Sequence, residues 1–372
     1  MNVPGEPLLS PLALARSLFA AGIRRRRPGL VTFKLGRDAL SAVSSALPPG
    51  TVLVPAFTCA EAIEGLRATG RDILFYPVGP DLNPDWPALS DLLSRYRAGE
   101  GGRPAAVLIV HYFGFMSDSA RAGRLASQHG AAILEDCAHL PFPSSTTSSG
   151  APDRYAIYSF RKQYPVASGA ALAAGGEALS GIRTSSAWPG LIPTVRALTA
   201  WAVFKSGSAR LREWLAPALS DERGLKASPR AITPSAAWLA RKVVAREGSA
   251  ANLGATMSAR RTNYAALMQM LDSVERITPF FGELPPDTVP WGFPLRVSGG
   301  RENRDELLNV LLREGIGAWS WPDLPEKVTE ADFPLEYRLA SETLLLPLHQ
   351  DLNDSHMRYV ADTVSAWALA HT

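Results

Sequence analysis

Short apolar runs rich in Val, Ile and Leu recur through the first half of the chain, at 52–55, 73–77, 105–111, 131–135, 155–160 and 170–174. Each has the length of a buried strand. Between them, 60–68, 86–96 and 118–129 place apolar residues at three- and four-residue spacing, which lines one face of a helix. Strands alternating with helices predict an α/β unit with a parallel sheet. The predicted strand ends carry His111, Glu135, Asp136 and Ser159, and open α/β sheets bind ligands at the carboxyl ends of their strands. After Ala174 the pattern changes. Residues 193–215 read as a helix with Trp-bearing apolar faces, suited to packing or dimerisation or, alternatively, to a membrane surface. Residues 234–271 read as one long helix broken or bent near 248–254, a bridge between domains. The remainder predicts strands at 292–297, 318–321 and 343–347 and helices at 304–314 and 355–368, a small α+β unit. The expected domains are therefore 1–245 and 246–372.

Composition narrows the classes. The 372 residues are 46% hydrophobic, enough for two cored domains and against disorder. Lys and Arg total 38 against 35 Asp and Glu, so the net charge of +3 offers no field for nucleic acid. The longest apolar runs, 105–110 and 344–348, fall well short of the roughly 20 residues of a membrane span. The apolar segment 8–23 is interrupted by Arg16 and followed by the basic residues 24–27, the reverse of a secretory signal, and a cytoplasmic address is expected. Those basic residues suit either a solvated turn or a binding patch. Only Cys59 and Cys137 occur, which excludes a disulfide scaffold and argues against a Cys-rich zinc site. The Ser/Thr run 144–150 predicts a loop. No phosphate-loop lysine motif, strand-linked Gly-x-Gly-x-x-Gly or His-Glu-x-x-His is present.

Lysine is scarce, at 34, 162, 205, 226, 242 and 327 only. Lys162 lies in an apolar stretch directly after a predicted strand and before Gly169. It suits a structural role or, partly desolvated beside Arg161, a nucleophilic amine. Asp136 ends the preceding strand, where a buried carboxylate needs a cationic partner such as a protonated pyridine nitrogen. The two residues together suggest pyridoxal phosphate. Gly36, with the amides of Arg37 and Asp38 opening a helix over 38–46, offers a phosphate cup, although many glycines before helices look alike. The Ser159 hydroxyl could add a donor to the same phosphate.

These pieces resemble the DegT/DnrJ/EryC1/StrS family of sugar aminotransferases, which are fold type I enzymes dependent on pyridoxal phosphate. The likeness runs through Val52–Thr58, Asp81–Leu89, Val110–Gly114, Glu135–His139, Ser159–Lys162, Arg230 with Ala236 and Ala237, and Leu346–His349. It implies a large, mostly parallel-sheet α/β/α domain and a smaller C-terminal α+β domain. Lys162 would be the Schiff-base lysine and proton-transferring base, in a shortened segment three residues after the serine. Asp136 would meet the pyridine nitrogen, Ala138 would sit by the ring face, and Ser228 would reach the neighbouring subunit's phosphate. Cys59 replaces the usual aromatic that stacks on the ring, and Gly169-Ala170 stands where a Gly-Gly pair is common. His139 suits a place near the phenolic oxygen or substrate, or a strand-end histidine bonded to backbone. Trp319 and Trp321 suit core or pocket wall. The implied protein is a cytoplasmic homodimer moving an amino group from an amino-acid donor such as glutamate to a nucleotide-linked keto sugar. A non-sugar substrate, or a catalytically silent aminotransferase-like partner protein, are the alternatives.

Overall fold

Apolar alternation along the strands decides the layering. The computed structural model describes residues 1–18, 29–97, 104–142, 153–166, 168–175, 179, 182, 191–206, 208 and 238–371. Its helices are α1 (Pro11–Leu18), α2 (Gly36–Ala46), α3 (Ala60–Arg67), α4 (Trp86–Arg97), α5 (Ser119–Gln128), α6 (Phe160–Gln163), α7 (Leu191–Ser206), α8 (Trp238–Glu247), α9 (Ala250–Leu271), α10 (Gly300–Arg313), α11 (Pro334–Glu342) and α12 (Asp354–Leu369). Its strands are β1 (Leu30–Phe33), β2 (Thr51–Pro55), β3 (Ile73–Tyr76), β4 (Pro104–Val110), β5 (Ala132–Asp136), β6 (Arg154–Ser159), β7 (Ala170–Ala174), β8 (Ile277–Pro279), β9 (Phe293–Val297), β10 (Trp319–Ser320) and β11 (Thr343–Leu346).

The first seven strands form one sheet in the order β1-β7-β6-β5-β4-β2-β3. Strands β2 to β6 run parallel, and β7 runs against both of its neighbours. Val52, Val54, Leu108 and Leu134 point to one face and pack with Leu40 and Val43 of α2 and Ile63 and Leu66 of α3. Leu53, Val107, Ile109 and Ile133 point to the other, against Leu89 and Leu93 of α4 and Ala122 and Ala126 of α5. Because successive side chains alternate, one apolar run serves both layers. The expected strands appear within a residue or so of their predicted limits; β1 is an addition, paired with β7 through Leu30–Phe33.

The long predicted helix is two, α8 and α9, parted at Gly248–Ser249, while Gly254 lies inside α9. Helix α8 crosses the expected domain limit at 245/246: its Val244 packs with Ala156, Tyr158 and Ala171 of the first sheet. From α9 onward the chain builds an antiparallel sheet, β10-β11-β9-β8. Leu267 and Leu271 of α9, Leu307 and Leu311 of α10 and Val360 and Val364 of α12 share its core. The predicted strand 318–321 is only two residues long, and the predicted helix 304–314 begins four residues earlier. Residues 24–27, 144–150 and 209–237, with Ser228, Arg230, Ala236 and Ala237, lie outside the described residues.

One glycine fixes how α2 meets α3. A Cβ on Gly65 would lie 2.2 Å from the Arg37 carbonyl oxygen and 3.1 Å from Leu40 Cβ. Backbone cannot retreat as a side-chain tip can, so Gly65→Ala should cost about 1–3 kcal/mol. Gly254→Ala is the control, since nothing lies within 4 Å of a Cβ there. In urea melts the Gly65 variant should lose midpoint while the Gly254 variant holds or gains; equal midpoints would refute the close approach.

Candidate active site

The site forms where β4, β5 and β6 end and the second sheet's loops come over them. After β4 the chain turns sharply through Tyr112–Gly114, with Phe113 at φ 56° and Gly114 at φ 94°. A left-handed Phe costs on the order of 1 kcal/mol, and here it aims two backbone groups. The Phe113 N–H donates to His139 Nδ1 at 3.1 Å, and the Phe113 carbonyl accepts from the Trp291 N–H at 2.8 Å. Glycine is needed next, because a Cβ on Gly114 would lie 2.2 Å from the Val289 carbonyl oxygen.

The His139 ring lies nearly parallel to its neighbours, stacked 4.2 Å from Trp291 at 4° and 6.0 Å from Phe113 at 6°. Its Nε2 lies 2.9 Å from Lys162 Nζ. Lys162 sits on the single turn α6 directly after β6. Trp291 reaches it twice: the indole Nε1–H donates to the Lys162 carbonyl at 2.7 Å, and the amine lies 5.3 Å from the indole centroid. Burial pulls the Lys162 amine below the usual lysine range. Asp136 and Cys59 oppose that, Arg161 adds to it, and Glu6 opposes it. Burial pushes His139 well below an ordinary histidine, and Lys162 adds to this. Burial likewise raises the Cys59 thiol above its ordinary value.

The other expected residues surround this pair. Asp136 accepts from the Ala138 N–H at 2.9 Å through one oxygen, and the second has no hydrogen-bond partner among the described residues. Cys59 precedes α3 and is half-buried. Ser159 precedes α6, and its hydroxyl makes no capping hydrogen bond to that turn. The phosphate cup differs in detail from expectation. Helix α2 starts at Gly36, two residues early, and the Asp38 amide already donates to the Leu35 carbonyl at 3.2 Å. The Asp38 carboxylate turns back to accept from the Leu35 N–H at 3.2 Å. The outward amides are therefore those of Gly36 and Arg37, and a Cβ on Gly36 would meet only Ile157, at 3.8 Å. That open room above a helix N-terminus suits an anion.

Trp319 and Trp321 separate. Trp321 is core, stacked on Phe57 at 4.3 Å, whereas Trp319 stacks on Trp291 at 5.5 Å beside the site. Arg260 of α9 is fully buried and donates to the Gln163 side chain at 2.7 Å, to the Gln163 carbonyl at 3.2 Å and to Gln350. It ties the lysine-bearing turn to α9 and to the segment after β11, and burial lowers its pKa to about 10.

Beneath the site, Glu135 is fully buried between His111, whose Nε2 lies 3.0 Å away, and Arg154. The Ser117 N–H donates to His111 Nδ1 at 3.1 Å, which leaves Nε2 to carry the proton toward Glu135. Burial alone would raise the Glu135 carboxyl; the His111 and Arg154 hydrogen bonds outweigh it, and the net shift is downward. A lowered carboxylate stabilises the fold above its unfolded value, near 4.5, and that stabilisation is lost as pH falls through the folded value. Glu135→Gln should thus cost on the order of 3 kcal/mol at pH 7, by removing the buried carboxylate charge that Arg154 and His111 face. Chemical denaturation at pH 7 and at pH 4 and below should show the gap from wild type narrowing in acid. A gap that is constant with pH would refute the charged network.

The sequence profile of the DegT/DnrJ/EryC1/StrS aminotransferase family matches residues 31–174 and 249–365. The chain belongs to that family. No curated protein matches it. Among solved structures, TlmJ, an aminotransferase from Streptoalloteichus hindustanus, is 21% identical over 100% of this chain and 99% of its own, with TM-score 0.66. Spr1654 from Streptococcus pneumoniae, in its PLP form, is 14% identical over 100% and 99%, with TM-score 0.68. PseC from Helicobacter pylori, an aminotransferase of pseudoaminic acid biosynthesis, is 14% identical over 99% of each chain, with TM-score 0.66. At these identities the likeness is one of fold, and it extends over nearly the whole length of these three chains.

Sequence reasoning passed over Trp291, Arg260 and Glu6. Pro290-Trp291-Gly292 carried a usable signal, a large aromatic between two turn residues just before a strand. Arg260 and Glu6 carried none, because their partners lie far along the chain.

Proposed function

We propose that this protein is a pyridoxal-phosphate aminotransferase that moves an amino group from an amino-acid donor such as glutamate to a keto sugar, nucleotide-linked, and that it works as a cytoplasmic homodimer. The observation that carries the reading is the desolvated Lys162 amine at the carboxyl edge of the sheet, electrostatically coupled to Asp136. Family membership and the PLP form of Spr1654 support the cofactor; the PseC likeness supports a sugar-like acceptor. No helix among the described residues is long and apolar enough to cross a membrane.

The residues fit the cofactor. The free oxygen of Asp136 would meet the ring nitrogen, Ala138 would lie by the ring face, and Cys59 would stand at the opposite face. The Gly36 and Arg37 amides and the Ser159 hydroxyl would take the phosphate, joined by Ser228 from the second subunit. When bound, the cofactor supplies the electron sink that lets a proton leave the carbon bearing the transferred nitrogen. Lys162 Nζ is the base that takes and returns that proton. The surrounding aromatic side chains keep water away from it.

Purified protein incubated with pyridoxal phosphate, glutamate and a panel of nucleotide-linked keto sugars should convert at least one of them to its amine. Conversion of only non-sugar ketones would overturn the sugar assignment, and no conversion of any carbonyl would favour a silent partner protein.

A further inference from the structure

His139 has two ring nitrogens and one consistent way to use them. Nδ1 accepts from the Phe113 N–H at 3.1 Å, so it carries no proton. In a neutral imidazole the proton then sits on Nε2, 2.9 Å from Lys162 Nζ. A protonated ring would set its Nδ1–H against the Phe113 N–H, while being buried against the Phe113 and Trp291 rings. Donation therefore runs from Nε2–H to Nζ, and Nζ can accept only with a lone pair. An ammonium group would place a donor against a donor.

We propose that His139 is a positioning residue that donates its Nε2–H to Lys162 and thereby holds the lysine side chain as the neutral, nucleophilic amine before any carbonyl arrives. The motif position implied contact with cofactor or substrate; the geometry makes Lys162 itself the partner of the free imidazole proton. Charges from every side bear on the outcome. Asp136 at the end of β5, Cys59 before α3 and Glu6 of the N-terminal segment favour the ammonium form, whereas burial and the adjacent Arg161 oppose it. The histidine proton adds to the second group. A neutral amine attacks an aldehyde carbon with its lone pair, the new carbon–nitrogen double bond forms, and the carbonyl oxygen leaves as water with both amine protons. No oxidant is needed.

The inference rests on Lys162 as the reactive lysine, but its test reads protonation and not cofactor attachment. The full chain, free of cofactor, is treated with formaldehyde and cyanoborohydride across pH, and methylation of each lysine is followed by peptide mass spectrometry. Formaldehyde condenses only with the neutral amine, and cyanoborohydride supplies the hydride that fixes the product. Lys34 and Lys242 serve as internal references. In wild type, the Lys162 midpoint should lie at lower pH than theirs. His139→Leu keeps the apolar surroundings but removes the donor, and should lower the rate at acidic pH roughly two- to tenfold. His139→Gln can accept from Phe113 through its oxygen and donate through its nitrogen, so it should restore the wild-type profile. Circular dichroism checks that both variants fold. A wild-type Lys162 profile that coincides with the references, or Leu and Gln variants that behave alike, would overturn the proposal. Attachment of cofactor to another lysine would sink the proposed function and leave this profile intact.

Discussion

Lys162→Ala should abolish the visible absorbance that pyridoxal phosphate acquires on wild-type protein, and should lower transamination by about 10²–10⁴-fold, the usual range for a lost proton-transferring base. The effect is large because no second amine among the described residues is shown beside His139 and Trp291. Among the described lysines, Lys162 is the one at the carboxyl edge of the sheet with its amine against His139 and beneath Trp291. The variant should still fold. The turn α6 is held by groups the mutation leaves in place, namely the Lys162 carbonyl bonded to Trp291 and Gln163 bonded to Arg260. Spectral titration with cofactor, alongside a thermal melt, checks both halves of this expectation. A retained visible band in the alanine variant would mean that another amine takes the cofactor.

Asp136→Asn should be the next most damaging change. One carboxylate oxygen is occupied by the Ala138 N–H at 2.9 Å and the amide can still accept there. The other position would then present an N–H where a protonated ring nitrogen needs an acceptor. A hydrogen bond to a charged group is worth about 1.5–3 kcal/mol, so cofactor binding should weaken roughly tenfold to 150-fold. Turnover should fall further than occupancy accounts for, because the ring nitrogen loses its proton. Fluorescence titration gives the first quantity and turnover at saturating cofactor gives the second. Near-normal turnover at saturation would show that Asp136 does not face the ring nitrogen.

The sheet was legible because runs such as Val52–Pro55 and Ala105–His111 pack two faces at once, and a doubly buried strand announces itself as an apolar stretch. Strand-end polar residues then followed from topology, which is how His111, Glu135, Asp136 and Ser159 stood out, whereas Lys162 stood out through the scarcity of lysine and His139 through its place in the family motif. What could not be read was the wiring between them. The positive φ of Phe113 is invisible in its residue type, yet that one residue fixes the tautomer of His139 and the place of Trp291. The early start of α2 was missed because Gly36 suggests a loop, whereas the Asp38 carboxylate capping Leu35 lets the helix begin there. Glu6 and Arg260 reach the site from the chain's first segment and from α9, a long-range placement that local pattern does not encode.

Borohydride reduction of the protein with its cofactor bound, followed by peptide mapping, tests the central claim most directly. Reduction fixes the cofactor to whichever amine holds it. The structure predicts one labelled peptide, containing Lys162 and the flanking sequence Tyr158–Val166. Label on Lys34, Lys205 or any other lysine, or no label at all, would contradict the account.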